Sequence, residues 1–280
     1  MILVDYSQVA HSSFYATVKH VRMDEINEDF LRHIILNSIR SIRVKFKREY
    51  GELVIATDSP NSWRKDVFPY YKASRKEARD ASPYDWNMIH TVFNKVKGEL
   101  AEHFPYKVVS VARAEADDII GTLCEEFGDS HKILIVSADK DFFQLARFSE
   151  VKQYDPIREK WLEGDYTNYL FEHIMKGDSS DGIPNVFSAP DSFVNKIRQK
   201  SVFQKKLDEW RGKELNEFLT DEQVSNYKRN ETLIDLTKIP SEIKTKVIDA
   251  YYAASDKSGD INGYFIKNRL SNLYDSIGDF

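Results

Sequence analysis

The sequence contains a single cysteine, Cys124, which excludes an internal disulfide framework and is typical of a reducing cytoplasm. It also lacks any apolar run close to the roughly 20 residues that a membrane-spanning helix needs. The opening residues MILVDYSQVA lack the basic and then apolar segments of a signal peptide. We therefore expect a cytoplasmic protein without a membrane anchor, whose cysteine packs inside a helix.

A net positive charge is missing as well. The 280 residues carry a formal charge of −5, so the chain is not a polycation that binds nucleic acid through its overall charge. Its basic residues are nevertheless segregated. Residues 59–79 hold six Lys or Arg against two acids, and residues 190–213 hold seven against three. We expect an anionic partner to bind at these two segments.

The first half of the chain alternates short apolar runs with helical patterns. The predicted strands are residues 1–5, 53–58, 106–111 and 132–137, with 151–155 as a further candidate. The predicted helices are residues 30–51, 82–100 (opened by Ser82 and Pro83) and 115–127. Apolar strands that alternate with helices indicate an α/β fold, with a mostly parallel sheet covered by helices on both faces.

The strand pattern disappears after about residue 185. The segments 192–219, 221–236 and 239–255 instead have helical patterns, and the first of them is strongly basic. No internal repeat or low-complexity tract is present. We therefore predict an α/β domain over residues 1–185 and a helical C-terminal region over residues 186–280.

Carboxylates follow three of the predicted strands. Asp5 ends the first strand, Asp58 ends the second, and Asp139 comes directly after the run ILIVSA, with Asp141 two residues later. Parallel strands end at the same edge of a sheet, and ligands bind at that carboxyl edge. We therefore expect these acids to converge in one crevice.

More acids are expected in the same crevice, from the first turn of the helix after the third strand and from the segment KGDSSDGIPN. These residues are Glu115, Asp117, Asp118, Asp178 and Asp181. Carboxylates this close repel one another unless some are protonated or cations lie among them, and oxygen-rich sites favour Mg²⁺ or Mn²⁺. The number of acids favours two ions, which together can activate water and stabilise the leaving oxygen of a phosphodiester.

Taken singly, each acid has a simpler explanation. A lone Asp after a strand is usually a turn residue or cap, and acids such as Asp117 and Asp118 also favour a helix N-terminus. The DxD spacing alone occurs in phosphatases and glycosyltransferases. The combination of three strand ends with an acidic helix start favours the metal site. The acids outside this pattern, expected at ordinary surface positions, are Asp80, Asp129, Asp155 and Asp165.

A basic and aromatic segment, residues 63–79, directly follows Asp58 and is expected to lie over the mouth of the crevice. Its Lys and Arg side chains suit phosphates, and its aromatic side chains suit stacking on unpaired bases. A solvated surface segment is the alternative. The candidate nucleic-acid ligands in it are Arg64, Tyr71, Lys72, Arg75 and Arg79.

A second nucleic-acid contact is predicted around the segment GDSSDGIPN. A helix–hairpin–helix arrangement there would present backbone N–H groups, with Gly182 in the turn, to a phosphate. Lys196 and Arg198, on the basic helix predicted to follow, would track a duplex backbone. An ordinary interdomain loop is the alternative.

The motifs VDYSQVA, VIATD, WRKDVFPYYKASR, AEADDIIGTL, VSADKDFFQL and KGDSSDGIPNV, in this order, resemble the flap endonuclease family of structure-specific 5′ nucleases, and its phage members most. The resemblance runs nearly end to end. It implies a PIN-like nuclease core over residues 1–185 with an arch or bridge at 59–82, and a DNA-binding region over 186–280. The implied activity, which includes ribonuclease H activity, is Mg²⁺-dependent hydrolysis of RNA–DNA hybrids and of flap or duplex DNA near a 5′ end. Such enzymes remove RNA primers during lagging-strand replication.

The resemblance also implies roles for single residues. The acids that match a first ion site are Asp5, Asp58, Asp117 and Asp139. The acids that match a second ion site are Asp141, Asp178 and Asp181. Glu115 and Asp118 match acids of the same cluster that act partly through water. Lys72 and Arg79 match the basic residues that hold the scissile phosphate, and Asp139 and Asp141 are the acids expected to be catalytic.

The phage relatives further imply a monomeric enzyme of the host-cell cytoplasm, with a single-stranded-DNA-binding protein and a sliding clamp as partners. One departure stands out, since Gly182 occupies the place of the usual Asn and no second GxG turn follows. The grip of this hairpin on duplex DNA, and its binding of a monovalent ion, therefore stay open. On the residues alone, two other functions also remain. A non-catalytic DNA-binding replication protein would keep the fold without turnover, and an Asp-nucleophile phosphatase would need a second Asp in VDYSQ.

Overall fold

The computed structural model describes residues 1–164, 166–254 and 259–280, except for the side chains of Ala78 and Thr167. The expectations for Asp165 and for the last residue of the third C-terminal helical pattern, Ser255, lie outside the described residues. The strands are β1 (Ile2–Asp5), β2 (Leu53–Thr57), β3 (Lys107–Ser110), β4 (Ile133–Val136), β5 (Val151–Asp155) and β6 (Lys160–Leu162). The helices are α1 (Tyr6–Thr17), α2 (Glu28–Tyr50), α3 (Arg64–Val67), α4 (Arg75–Asp80), α5 (Trp86–His103), α6 (Ala116–Phe127), α7 (Tyr166–Lys176), α8 (Gln204–Trp210), α9 (Asp221–Ile234), α10 (Ser241–Ala253), α11 (Ile261–Lys267) and α12 (Ser271–Tyr274).

The strands form one sheet in the order β3-β2-β1-β4-β5-β6. The first five run parallel, as their apolar sequences predict, and β6 pairs with β5 in antiparallel fashion. The short β6 was not expected from the sequence. In the turn between β5 and β6, the carboxylate of Asp155 accepts the N–H groups of Ile157 and Arg158 at 2.9 and 3.0 Å. Asp155 is buried, so its assignment to the ordinary surface was wrong.

Two apolar layers cover the sheet, because the side chains of its strands alternate between its faces. Ile2 and Val4 pack in one layer with α1, α2 and α5, whereas Leu3 packs in the other with α6 and α10. Cys124 is buried on α6, as predicted. No helix in the described ranges combines the length and apolarity that a membrane crossing requires.

The two long helices of the first layer follow their apolar periodicity. The predicted stripe of α2, from Leu31 to Phe46, is buried, and the helix ends at Gly51, whose φ of 81° is accessible to glycine without strain. Helix α5 begins three residues later than the sequence suggests. Asp85 caps it by accepting the N–H groups of Asn87 and Met88, so Ser82 and Pro83 lie in the preceding turn.

The C-terminal region is helical, but not throughout. Helices α9 and α10 match their predicted patterns, whereas residues 190–203 form turns and extended chain, so the basic helix expected there is absent. The backbone of Lys200 bonds instead to the side chains of Asn185 and Ser188, at 2.7 and 3.0 Å. Such bonds compete with helix formation. Helix α10 packs against α6, so the domain boundary at residue 185 stays a prediction.

Candidate active site

Three carboxylates meet at the carboxyl edge of adjacent strands. Asp5 ends β1 and accepts the N–H of Gln8 at 3.0 Å, which caps α1. Asp58, directly after β2, accepts the N–H of Ala116 at 2.9 Å. Asp139, three residues after β4, accepts the N–H of Asp141 at 2.9 Å. Because β2, β1 and β4 are neighbours, the convergence expected from the sequence is present.

The loop that carries Asp139 is hydrogen-bonded to a side chain of β5. The buried amide of Gln153 donates to the carbonyl oxygens of Ser137 and Asp139 at 2.9 and 2.5 Å. The hydroxyl of Ser137 in turn donates to Asp5 at 3.4 Å. These hydrogen bonds position the strand ends. None of them uses the carboxylate oxygen of Asp139 that is left over after the other accepts the N–H of Asp141.

The carboxylates of this edge repel one another. Burial, and then the charge of Asp58, raise the pKa of Asp5 to about 7. Burial and Asp141 raise the pKa of Asp139 to about 6, and burial, Asp139 and Asp5 raise the pKa of Asp117 well above its ordinary value. Among the described residues, no basic side chain forms an ion pair with Asp5, Asp58, Asp117 or Asp139. We name these four residues the edge group.

A second cluster lies beside the edge group, between the Lys140–Arg147 3₁₀ helix, α7 and the hairpin after α7. Single ligand atoms of Asp141, His173 and Asp178 all lie within 4.8 Å of one another. The Nε2 of His173 is 3.1 Å from Asp141 and 3.7 Å from Asp178. Elsewhere in the described ranges no other such group of three His, Cys, Asp or Glu residues is found, including within the edge group.

His173 was not anticipated from the sequence. Its ring stacks on Tyr169, one helical turn earlier, at 5.3 Å, and the Tyr169 hydroxyl donates to Asp141 at 3.0 Å. The sequence does contain a signal for it, which is the spacing of Tyr169 and His173. Residues at i and i+4 of a helix lie on the same face, and this helix ends just before Asp178. Attention to carboxylates alone passed over it.

Charge is partly balanced within this second cluster. Burial acts to raise the pKa of Asp178, but the hydrogen bonds from His173 and Ser180 outweigh it and lower that pKa to about 2. Burial likewise acts to lower the pKa of His173, and the bonds and charges of Asp141 and Asp178 instead raise it to about 10.

A third set of acids is neutralised by the protein itself. Glu115 and Asp118 are buried, and one guanidinium nitrogen of Arg64 lies 3.1 Å from Glu115 and 2.9 Å from Asp118. Arg64 also donates to the carbonyl of Leu233 on α9 at 2.8 Å. We name Arg64, Glu115 and Asp118 the buried ion-pair group.

The buried ion-pair group corrects two sequence expectations. Arg64 is only 3% exposed, so it is not available to a nucleic acid. Asp118 is fully buried and accepts the N–H of Glu115 at 2.8 Å and the indole N–H of Trp63 at 3.1 Å. Asp118 therefore supports the start of α6 rather than facing an ion. The basic segment does lie at the crevice, but parts of it fold inward.

Tyr71 and Lys72 join the buried ion-pair group to the hairpin after α7. The Tyr71 hydroxyl donates to Glu115 and to Asp181, at 2.8 Å each, and its ring is buried, so the expectation that it stacks on a base was wrong. The Lys72 ammonium lies 2.6 Å from Glu115 and 3.5 Å from Asp181. Burial would raise the pKa of Glu115, but Lys72 and Arg64 lower it to about 2.

The hairpin packs against the basic segment. Lys72 donates its backbone N–H to the carbonyl of Asp181 at 2.7 Å, and Arg75 binds the Asp181 carboxylate at 2.5 Å. Gly182 has a φ of 73° and is buried, and a Cβ there would lie 3.2 Å from the Tyr70 carbonyl. Its own N–H bonds to Ser179, so it does not offer that group to a phosphate, contrary to the sequence expectation.

Of the predicted nucleic-acid ligands, Arg79, Lys196 and Arg198 are exposed and form no contact with the hairpin acids. Arg79, on α4, forms no ion pair with any described residue, and its charge adds to burial in lowering the pKa of His11 on α1. Lys196 pairs with Glu77 of α4 at 2.6 Å, and Arg198 is exposed beside it. Nucleic-acid binding by these residues stays a prediction.

The donor chemistry of the site suits divalent cations. The carboxylates of the edge group form no ion pair with a described basic side chain, and the neighbouring cluster offers two carboxylates and a buried imidazole nitrogen that faces them. Oxygen donors suit Mg²⁺ and Mn²⁺, and an imidazole is compatible with transition metals.

Comparisons with known proteins agree with this geometry. Residues 1–173 match the family model "5'-3' exonuclease, N-terminal resolvase-like domain", and residues 167–280 match "T4 RNase H, C terminal". The chain is similar to the ribonuclease H of Enterobacteria phage T4, at 34% identity over 99% of this chain and 95% of that protein. It is also similar to the flap endonuclease Xni of Shewanella pealeana, at 33% identity over 49% of this chain and 54% of that protein.

Solved structures share the fold. The bacteriophage T5 D15 protein co-crystallised with metal ions matches with a TM-score of 0.61 at 15% identity, over 90% of this chain and 98% of that one. A complex of D15 flap endonuclease with DNA and metal ions matches with a TM-score of 0.62 at 15% identity, over 91% and 99%. The α/β sheet with its flanking helices is thus a PIN-like nuclease fold. The chain belongs to the 5′-3′ exonuclease and flap endonuclease family of nucleases.

Proposed function

We propose that this chain is a structure-specific 5′ to 3′ nuclease that hydrolyses phosphodiesters of RNA–DNA hybrids and of duplex or flap DNA by two-metal catalysis. Two divalent ions, Mg²⁺ or in its place Mn²⁺, would be held by the edge group and by the Asp141 cluster. Its role would be to remove RNA primers during phage lagging-strand replication, in the host cytoplasm and as a monomer. A single-stranded-DNA-binding protein and a sliding clamp are the partners that fit this role.

The observation that carries the proposal is the edge group. Its four carboxylates come from three strand ends and one helix start, and no described basic side chain pairs with them. The raised pKa values of Asp5, Asp117 and Asp139 express their burial and a mutual repulsion that the fold does not relieve. A divalent cation relieves it, and the family to which the chain belongs uses its acids in nucleic-acid hydrolysis.

The protein's own residues would bind and orient the substrate. Arg79 is exposed and suits a phosphate of the incoming strand. Lys72 stays charged, since Asp181 and Glu115 outweigh burial and raise its pKa, and it would bind the scissile phosphate. A positive group at that position stabilises the charge that develops in the transition state. The divalent ions would supply the activation of water and the stabilisation of the departing 3′ oxygen.

The test uses a 5′-labelled RNA–DNA hybrid and a 5′-flap DNA, each incubated with the purified full-length chain. We expect short labelled products with Mg²⁺ and none with a chelator. Binding of either substrate without turnover, in the presence of bound metal, would refute the proposal in favour of a non-catalytic DNA-binding replication protein. Activity on a phosphomonoester alone would indicate a phosphatase instead.

A further inference from the structure

The ligands of the second ion differ from those that the sequence motifs suggest. Asp141, Asp178 and Asp181 were expected there. In the structure, the Asp181 carboxylate has three partners, the Arg75 guanidinium at 2.5 Å, the Tyr71 hydroxyl at 2.8 Å and the Lys72 ammonium at 3.5 Å. Its carboxylate is therefore already neutralised by the protein.

His173, rather than Asp181, lies beside Asp141 and Asp178. Its Nε2 atom is buried and faces both carboxylates, 3.1 Å from Asp141 and 3.7 Å from Asp178. An ion bonded to two ligand atoms at about 2.1 Å separates them by roughly 3 Å, so these spacings suit two corners of one coordination shell. One imidazole nitrogen and two carboxylate oxygens, all within 4.8 Å of one another, therefore form a candidate three-ligand site.

The surroundings hold this nitrogen in place. The His173 ring stacks against Tyr169 with an interplanar angle of 13°. Asp178 is held on its other oxygen by the N–H groups of Ser180 and Asp181, at 2.7 and 3.3 Å. Neither contact uses the His173 Nε2 atom, so it stays aimed between the two carboxylates.

We propose that His173 coordinates the second ion through Nε2, together with Asp141 and Asp178, and that this site prefers transition-metal dications such as Mn²⁺, Co²⁺ or Zn²⁺ over Mg²⁺. Mg²⁺ is a hard cation that takes oxygen ligands, whereas imidazole nitrogen raises affinity along the transition series. This inference deepens the proposed function and rests on it, because the same ion would serve the nuclease reaction.

The direct test is long-range ¹H–¹⁵N NMR of the full-length chain labelled at its seven histidines, titrated with Zn²⁺. The Nε2 resonance of one histidine moves to the position of a metal-bound imidazole, and the His173→Gln protein lacks that resonance. A matched control is His20→Gln, because His20 is exposed and outside the cluster. Zn²⁺ binding, measured by calorimetry, that leaves the His173 resonance unmoved would overturn the proposal and leave His173 as an ion-pair partner only. The wild-type spectrum decides this even where the variant folds poorly.

Affinity gives the second readout. We expect His173→Gln to weaken Zn²⁺ binding at this site by at least about tenfold, the lower bound for losing a group that merely supports a ligand, and to change Mg²⁺ binding far less. An equal loss for both metals would overturn the proposed preference. The nuclease proposal is tested separately. A wild-type chain that binds Zn²⁺ through His173 but cleaves no 5′-labelled substrate would support the metal ligand and refute the nuclease reaction.

Discussion

Two groups of acids lie side by side in this protein, and their charges are balanced in opposite ways. In the buried ion-pair group, Arg64 meets Glu115 and Asp118, and Lys72 adds a second cation to Glu115. In the edge group no described basic side chain forms a pair, and the pKa of Asp5 rises to about 7. The pKa of Glu115 instead falls to about 2.

The difference separates a structural use of carboxylates from a functional one. The buried ion-pair group ties the basic segment, the start of α6 and the end of α9 together, so its charges are balanced inside the fold. The edge group keeps a negative charge that only an external cation can balance, which costs stability in the metal-free protein. Sites that keep such a cost are usually functional.

The largest effect that distinguishes the two groups is on cleavage. Asp139→Asn removes an edge carboxylate and should lower the rate of substrate cleavage by at least about a hundredfold, the order found when one group that stabilises the transition state is lost. Substrate affinity, measured by fluorescence anisotropy, should stay within a few-fold. Loss of both cleavage and folding in this variant would remove the distinction, because Asp139 would then be structural as Glu115 is.

The next effect is on stability. Arg64→Gln leaves the buried charges of Glu115 and Asp118 without their partner and should lower the free energy of unfolding by about 3 kcal/mol or more. Arg22→Gln is the matched control, because the side chains of Arg22 and its partner Asp24 are 75% and 71% exposed, and an exposed pair contributes at most about 1 kcal/mol. Urea unfolding followed by circular dichroism measures both. Similar losses in the two variants would contradict the assignment.

A smaller effect concerns pH. Asp5 and Asp139 have folded pKa values of about 7 and about 6, above their unfolded values near 4, so the folded state binds more protons in this interval. The stability of the metal-free protein should therefore fall as pH rises from about 4 to about 7, by at least about 1 kcal/mol. Thermal unfolding in a chelator measures the slope. It should flatten in Asp139→Asn, and an unchanged slope would show that these acids do not repel one another.

The smallest expected change is for Arg79, on the exposed part of the basic segment. Arg79→Gln should leave the unfolding free energy within about 0.5 kcal/mol, because the side chain is exposed and unpaired among the described residues. Substrate binding should weaken, and its salt dependence should become shallower by about one phosphate contact. A destabilised Arg79→Gln protein with unchanged substrate binding would show that Arg79 has a structural role and does not bind the substrate.

Much of this arrangement was readable from the sequence, and the reasons for the misses are physical. The runs ending at Asp5 and Asp58 are buried parallel strands, whose apolar character specifies them locally. The buried positions of Arg64 and Tyr71 depend on contacts with residues about 40 to 170 positions away, which no local pattern contains. The basic segment therefore had the composition of a nucleic-acid surface while part of it folds inward.

The C-terminal region shows the same limit. Helix α9 was predicted because its helical pattern is local, and in the structure Thr220 caps it by accepting the N–H of Gln223. The helix expected around Lys196 and Arg198 was wrong, since Lys196 adopts a φ of 55° and the backbone beyond it bonds to Asn185 and Ser188. His173 was missed for another reason, because its position four residues after Tyr169 on a helix that ends just before Asp178 becomes a ligand pattern only when the fold brings Asp141 to it.

The most direct measurement is calorimetric titration of the full-length chain with Mn²⁺ at pH 8, comparing the wild type with an Asp5→Asn/Asp139→Asn variant. The account predicts that the wild type binds two ions and that the variant, still folded, loses the one at the strand ends. Equal binding by both proteins, or no binding by the wild type, would contradict the claim that these acids exist to hold divalent cations.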